Sequence, residues 1–276
     1  MVVRTGSHRC TMACVREAER EIAADYSATG VAWQAGPGRV YDVLADVLVA
    51  GARVDWTDRV VLEVGAGTGS GTRAIERAGG RPLVTDAADG MLHASGHAGP
   101  RLVTDARRIP LTDGSVDGYV AAFCLNHLRD PAVALAEAAR VVRPDGPVAA
   151  SAYAEDDVHP VKAAVEVALA EHGWVPPTWA LHVKEQTAPL LATVDRALDV
   201  ARAAGLVDVR AEHVDVPFPH LRPDDLVAWR LGMATAAPFV ATLDDAHRTR
   251  LHHRALELLG DAPTLVRRVI NLYAEV

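Results

Sequence analysis

The chain has 276 residues, half of them apolar, and its formal net charge at pH 7 is −8. This length allows a sizeable core, built as one large domain or two small ones. The acidic balance argues against a nucleic-acid partner, because neutralising phosphates needs a concentrated basic face. No stretch approaches the roughly 18 uninterrupted apolar residues of a membrane span, so we expect no membrane partner.

The N-terminal residues and the cysteines predict a cytoplasmic protein. Residues 1–14 lack the apolar segment of a secretion signal. The three cysteines, Cys10, Cys14 and Cys124, contain no C-x-x-C pair, which suits a reducing compartment. His8 lies near the first two cysteines, but structural zinc requires four ligands at firmer spacing. No metal is therefore predicted.

Two helices are predicted before the first strand. Residues 15–27 form a charged segment, and residues 40–49 carry apolar side chains at helical spacing. The break Gly36-Pro37-Gly38 separates them, and Trp33 is expected in the link between the two helices.

A predicted strand, a glycine-rich turn and a helix follow one another from Val60 to about Ala78. The turn contains Gly65, Gly67, Gly69 and Gly71. Glycine has no Cβ and permits positive φ, so the backbone can pass close to a ligand. This order of elements brings the backbone of a doubly wound α/β sheet against a nucleotide.

The alternation of strands and helices continues to Tyr153 and then stops. It predicts a parallel sheet with right-handed crossovers. Before Tyr153 we predict strands at 82–85, 102–104, 117–125 and 148–153, with helices at 88–94 and 130–142. After it we predict helices at 160–172, 190–204, 224–236 and 244–259, strands at 207–216 and 268–276, and an irregular segment at 174–189.

Two interpretations compete for the glycine turn. A dinucleotide fingerprint requires G-x-G-x-x-G/A, and Ser70 occupies its third required position. The sequence E-x-G-x-G-x-G from Glu63 instead resembles the first motif of the class I S-adenosylmethionine-dependent methyltransferases. The resemblance is closest to the ubiquinone and menaquinone methyltransferases and to small-molecule methyltransferases of antibiotic pathways.

Later segments resemble the later motifs of that family. These are Val84-Thr85-Asp86 with Met91-Leu92, then Thr104-Asp105-Ala106 with Ile109-Pro110-Leu111, and then His127 to Gly146. The resemblance covers roughly residues 60 to 154. It implies a Rossmann-like, doubly wound α/β sheet of seven strands with an antiparallel terminal hairpin, plus helical cap and lid insertions.

A single domain, residues 1–276, follows from this resemblance. It comprises an N-terminal helical cap (1–55), a cofactor-binding core (56–154), a lid insertion (155–188), the rest of the core (189–218 and 265–276) and a second helical insertion (219–264).

The resemblance also implies which residues hold S-adenosylmethionine and its product S-adenosylhomocysteine. The expected contacts with the methionine part come from Tyr26, Glu63, Gly65, Ala66, Gly67, Gly69 and Phe123. Those with the ribose and adenine come from Asp86, Ala87, Met91, Asp105 and Ala106. Outside this frame, Asp86 and Asp105 could be strand-end caps, and Met91 could be an ordinary core residue.

His127 is the candidate catalytic base. It follows the fourth strand, at the edge where open α/β sheets bind ligands, and histidine suits proton transfer near neutral pH. The alternative is a histidine that supports packing. The aromatic residues of the two insertions, which include Trp174, Trp179 and Trp229, favour an enclosed pocket for an apolar small molecule.

The predicted function is methyl transfer to oxygen or carbon of a small apolar metabolite, in natural-product biosynthesis. The alternative is a cyclase-type enzyme that keeps the cofactor without transferring its methyl group. A non-catalytic binding protein would predict decay of the glycine turn or of Asp86, and neither is seen. The sequence leaves open the methyl acceptor and whether the protein forms a homodimer.

Overall fold

A mixed sheet of seven strands forms the centre of the fold. The computed structural model describes the backbone of residues 12–276 and the side chains of residues 20–276. The strands are β1 (Val60–Val64), β2 (Arg81–Asp86), β3 (Arg101–Val103), β4 (Gly118–Ala122), β5 (Pro147–Tyr153), β6 (Val207–Phe218) and β7 (Leu265–Glu275). Their order is β3-β2-β1-β4-β5-β7-β6. β7 runs antiparallel to both of its neighbours, whereas β1 to β5 are parallel. The predicted doubly wound sheet with an antiparallel terminal hairpin is confirmed.

Helices cover both faces of this sheet. They are α1 (Met12–Ala35), α2 (Gly38–Gly51), α3 (Ser70–Arg77), α4 (Asp89–Ala94), α5 (Pro131–Val141), α6 (Pro160–Glu171), α7 (Thr178–His182), α8 (Val194–Ala203), α9 (Pro223–Leu231), α10 (Ala237–Thr242) and α11 (Asp245–Leu259). Leu48 of α2 and Ile75 of α3 are buried with Val120 of β4. Leu135 of α5 and Ala201 of α8 belong to a separate buried cluster with other strand residues. Because apolar residues lie on both faces, the central strands are buried almost throughout.

The first helix is longer than predicted. It continues to Ala35, so Trp33 lies in its last turn and not in a link. No proline interrupts the segment, and the helix ends only where Gly36-Pro37 follows. Helix α1 passes close to α4 at Gly30, where an added Cβ would lie 2.7 Å from Cβ of Ala94 in α4. This close crossing of α1 and α4 holds the first helix against the sheet.

Three predictions for the second half of the chain need correction. Residues 174–189 are not irregular, because they contain α7, a π-helical turn (Val183–Thr187) and the start of a 3-10 turn (Ala188–Leu191). The helix predicted at 190–204 begins only at Val194, where Thr193 caps it by accepting a hydrogen bond from the Arg196 amide. The helix predicted at 224–236 ends at Leu231, because Gly232 packs against the turn between α1 and α2.

Three of the helices after β5, namely α6, α9 and α11, form a layer with β6 and β7. Val165 of α6, Val227 of α9 and Leu251 of α11 are buried in one cluster with Phe218 and Val269 of these strands. Elements α6 and α7 fall within the predicted lid insertion, and α9 to α11 fall within the second helical insertion. The division of the chain into cap, core and insertions stays a prediction.

Candidate active site

The turn after β1 has the backbone conformation that only glycine adopts without strain. Gly65, Gly67 and Gly69 have φ of 67°, 56° and 89°. A Cβ on Gly65 would lie 2.4 Å from Cβ of Cys124, at the end of β4. The Ala66 amide donates to the carbonyl of Thr85 in β2, 3.0 Å away. The turn is thereby held across the carboxyl ends of β1, β2 and β4.

Asp86 ends β2 beside this turn. Its Oδ2 accepts the Gly67 amide at 2.7 Å, and its Oδ1 accepts the Ala88 amide at 2.7 Å. These two bonds fix the carboxylate plane. A carboxylate has about four acceptor positions, so the Asp86 oxygens keep capacity for two more donors.

Glu63 is a buried acid, with 1% of its surface exposed. Burial raises its pKa to about 8, although the Thr72 hydroxyl donates to its Oε2 and opposes the shift. The site therefore contains a carboxyl group that is largely protonated at neutral pH and that a nearby cation would ionise.

Asp105 follows β3 and is paired within the chain. Its carboxylate accepts the amide and the guanidinium of Arg107, with Oδ2 and Nη2 2.7 Å apart. Burial raises the pKa of Asp105, but the hydrogen bonds from Arg107 together outweigh burial, and the net effect lowers this pKa. Asp105 is therefore an ionised acceptor at neutral pH, with most of its acceptor positions already used by Arg107.

A cavity of about 880 Å³ lies at this edge of the sheet. Every predicted site residue except Gly69 lines it: Tyr26, Glu63, Gly65, Ala66, Gly67, Asp86, Ala87, Met91, Asp105, Ala106, Phe123 and His127. Gly69 instead precedes α3, where its left-handed conformation begins the helix. The volume lies within the roughly 300–1,000 Å³ of small-molecule sites. The structure brings the predicted residues together, while their individual roles stay predictions.

Tyr26 and His127 form a hydrogen-bonded pair in the cavity wall. The Tyr26 hydroxyl lies 3.2 Å from Nε2 of His127, although 101 residues separate them. Burial lowers the pKa of His127 to about 4 and raises that of Tyr26 well above its usual value. Both groups are neutral at pH 7. Nδ1 of His127 is buried and has no partner among the described residues.

Aromatic side chains from α1 and α2 supply the apolar wall. Trp33 and Tyr41 line the cavity, with ring centroids 4.9 Å apart, and the Tyr41 ring meets Phe123 edge-on at 5.4 Å. From the sequence, the large apolar residues of the two insertions favoured an enclosed pocket, although each aromatic one could equally be an ordinary core residue: Trp174, Trp179, Trp229, Met233 and Phe239. None of these lines the cavity, and all pack in the core.

Sequence reasoning missed Trp33 and Tyr41. In the sequence, the only indication that they could line the pocket is that one aromatic residue lies on each side of the Gly36-Pro37 break. Of the other predicted residues, Phe123 has a φ of 58°, and its amide donates to the Ser151 carbonyl of β5. Met91 is 2% exposed.

No cluster of three or more potential metal ligands occurs among the side chains of residues 20–276. His8, Cys10 and Cys14, which the sequence analysis weighed as ligands, lie outside the described side chains. Within residues 12–276, no helix combines the length and apolarity that crossing a bilayer requires.

In sequence, the part of the chain that contains the glycine turn, Asp86 and Asp105 is similar to known methyltransferases. Residues 62–150 match a family model described as a methyltransferase domain. The chain is 30% identical over 128 residues to a demethylmenaquinone methyltransferase of Corynebacterium urealyticum, covering 42% of this chain and 56% of that protein. It is 33% identical over 129 residues to a ubiquinone/menaquinone biosynthesis C-methyltransferase of Burkholderia multivorans, covering 39% and 53%. The match spans about half the length of these curated relatives.

Solved structures share the fold at low sequence identity. A phosphoethanolamine N-methyltransferase 2 of Haemonchus contortus, solved with phosphomonomethylethanolamine and S-adenosylhomocysteine, superposes with a TM-score of 0.52 at 18% identity. The superposition covers 84% of this chain and 52% of that one. The YcgJ protein of Bacillus subtilis gives a TM-score of 0.51 at 18% identity, covering 84% and 97%. Such distant similarity concerns the fold alone.

Proposed function

We propose that this chain is a class I S-adenosylmethionine-dependent methyltransferase and that it transfers a methyl group from S-adenosylmethionine to oxygen or carbon of a small, apolar metabolite. The observation that carries this proposal is the single cavity wall that joins the glycine turn, Asp86 and the Tyr26–His127 pair. One part of the cavity offers polar groups suited to a nucleoside and an amino acid. Another part offers aromatic rings suited to an apolar acceptor.

The residues present fit the cofactor. Gly65 and Gly67 leave the cavity floor without side chains, and a Cβ on Gly67 would lie 3.3 Å from Cε of Met91. Asp86, held by two backbone amides, keeps free acceptor positions for the two ribose hydroxyls. Glu63 supplies a buried carboxyl near the turn that would orient the ammonium group. Asp105 and Ala106 would contact the adenine, and the Phe123 carbonyl would contact the ammonium group.

The cofactor supplies an activated methyl group on a sulfonium, so the protein's main tasks are to position the acceptor and exclude water. His127 is neutral at pH 7 and has one nitrogen without a partner. If Nε2–H donates to the Tyr26 oxygen, the lone pair of Nδ1 is free to accept a proton from the acceptor. Tyr26 thus acts as a positioning residue that orients the His127 ring through this hydrogen bond.

The acceptor is proposed to be a planar, mostly apolar molecule with an ionisable hydroxyl. Trp33, Tyr41 and Phe123 offer ring faces and edges at stacking distances. The relatives at about 30% identity carry the names of quinone methyltransferases, which supports an aromatic acceptor. We further propose that the protein acts in natural-product biosynthesis and that it is located in the cytoplasm.

Calorimetric titration with S-adenosylmethionine tests cofactor binding. Asp86→Asn should weaken binding roughly tenfold to a hundredfold, because it removes charge-assisted hydrogen bonds and sets an amide group against a backbone N–H. Asp261→Asn, an exposed aspartate outside the cavity, is the matched control and should bind like wild type. Absence of binding by the wild-type protein would refute the proposal.

Product mass tests the reaction itself. With reduced 1,4-naphthoquinone as a trial acceptor, the product should gain the mass of one methylene, with release of S-adenosylhomocysteine. His127→Gln should lower the rate and leave cofactor affinity unchanged. A product isomeric with its substrate, formed with the cofactor intact, would instead identify the cyclase-type alternative.

A further inference from the structure

A second cavity of about 490 Å³ lies beside the start of α6, the end of α9 and the start of β7. Its lining residues are 157–163, Glu166, Trp229, Arg230 and Arg267, and none of them lines the first cavity. Its volume also lies within the roughly 300–1,000 Å³ range of small-molecule sites. The proposed methyl transfer uses no residue of this cavity.

The charges around this cavity leave one cation without a partner. Asp157 pairs with the buried Arg267, with Oδ1 and Nε 3.1 Å apart. Glu166 pairs with Lys162, with Oε1 and Nζ 3.0 Å apart. Both carboxylates of the lining therefore pair with other side chains, although the Glu166 charge also acts on Arg230 from a distance. Within residues 20–276, the side chain of Arg230 has neither a hydrogen bond nor an ion pair, and its Nε is buried.

The environment of Arg230 makes this unpaired charge costly. Burial first, and then the neighbouring Arg267 cation, lowers the pKa of the Arg230 guanidinium, and the Glu166 carboxylate offsets only part of this effect. The guanidinium lies over the ring of Trp229, whose centroid is 5.3 Å from Cζ. A guanidinium taken out of water without a compensating anion is unfavourable. An anion bound in the cavity would remove that cost.

Trp229 supplies a second, independent observation. It is 2% exposed, it lines the same cavity, and its Nε1–H has no acceptor among the described residues. Buried indole N–H groups normally have a hydrogen-bond partner. The first turn of the 12-residue helix α6 also borders the cavity, and a helix N-terminus favours negative charge.

We propose that the second cavity binds the carboxylate or phosphate group of a small organic anion. Arg230 forms the ion pair with this group, and the Trp229 indole N–H donates to it. The cavity is too large for an inorganic ion alone, so the apolar body of the ligand packs against Val158 and Pro160. This site is separate from the cavity proposed for methyl transfer.

Thermal unfolding with three benzene derivatives tests this proposal without measuring methyl transfer. Benzoate and phenyl phosphate present the two oxyanions on one apolar ring, and benzamide is a neutral analogue of benzoate. We expect at least one of the two anions to raise the melting temperature saturably and benzamide to have no effect. Equal effects of benzoate and benzamide, or no effect of either anion, would overturn the proposal.

Two substitutions identify the groups that bind the anion. Arg230→Met should weaken binding of the anion about tenfold or more, because it removes hydrogen bonds to a charged group. Trp229→Phe keeps an aromatic ring and removes the N–H, so it should weaken binding several-fold. Arg250→Gln removes an exposed arginine of α11 outside the cavity and should change binding less than twofold.

If Arg230 serves only packing, replacing it should lower the melting temperature of the protein without ligand. If the unpaired guanidinium awaits an anion, Arg230→Met should melt at or above the wild-type temperature. A variant that melts at a lower temperature, yet binds the anion with wild-type affinity, would show that Arg230 serves packing instead.

Discussion

At pH 7.5 the Glu63→Gln variant should be more stable than the wild-type protein, although it loses an ionisable side chain of the proposed cofactor site. Burial raises the pKa of Glu63 from its ordinary 4.5 to about 8. Between these two values the carboxyl is protonated in the folded protein and ionised in the unfolded chain. The stabilising contribution of the protonated form is fully present below pH 4.5 and is lost as the pH rises through 8.

The size of the effect follows from the proton taken up on folding. One proton changes the free energy of unfolding by about 1.4 kcal/mol per pH unit. From about pH 5.5 to about pH 7.5, Glu63 should therefore reduce wild-type stability by about 3 kcal/mol. Glutamine does not titrate, and its oxygen can still accept the Thr72 hydroxyl that now bonds Glu63. The free energy of unfolding of Glu63→Gln should therefore not fall in this way as the pH rises.

Urea unfolding at several pH values between these limits measures the effect. The difference in unfolding free energy between Glu63→Gln and wild type should grow by about 3 kcal/mol across the range, and taking the difference cancels the contributions of other titrating groups. Glu185→Gln, an exposed glutamate of the π-helical turn, is the matched control and should follow wild type. Parallel pH profiles for Glu63→Gln and wild type would refute a buried, protonated Glu63.

Two further predictions concern stability. The pKa of His127, lowered to about 4 by burial, gives a contribution that is present above pH 6.5 and lost as the pH falls through 4. Wild type should therefore lose about 1.4 kcal/mol per pH unit in that window, and acid unfolding of His127→Gln should lack this loss. Gly65→Ala should cost about 2–4 kcal/mol in urea unfolding, because positive φ and the 2.4 Å approach to Cys124 act together. Gly173→Ala, with positive φ but open space around it, should cost only about 1 kcal/mol; equal costs would contradict this explanation.

The sequence by itself determined the parts of this protein that depend on local pattern. Short apolar runs and amphipathic segments alternate from Val60 to Tyr153, and they define the strands and helices because parallel strands are buried on both faces whereas helices bury one face. The same alternation places the glycines directly after β1 and Asp86 at the end of β2. Strand ends, tight turns and caps are local features, so the predicted ligand edge coincides with the observed cavity.

Where local preference is weak, the sequence interpretation was wrong. Residues 28–35 continue α1 because Gly30 packs against α4, a contact with a segment about 60 residues away in the chain. The helix predicted to reach residue 236 ends at Leu231 because Gly232 meets the turn between α1 and α2. Tertiary packing overrides propensity at such positions, and a single sequence carries little information about it.

Only the tertiary structure decided which distant groups meet and how they ionise. Tyr26 meets His127 across 101 residues, and Arg267 pairs with Asp157 while the side chain of Arg230 has no ion pair within residues 20–276. Their electrostatic free energies depend on burial and on separations of a few ångströms. Both quantities are set by the packing of helices far apart in the chain. The sequence therefore specified the sheet and the glycine turn, whereas the acceptor wall and the second cavity exist only in the folded protein.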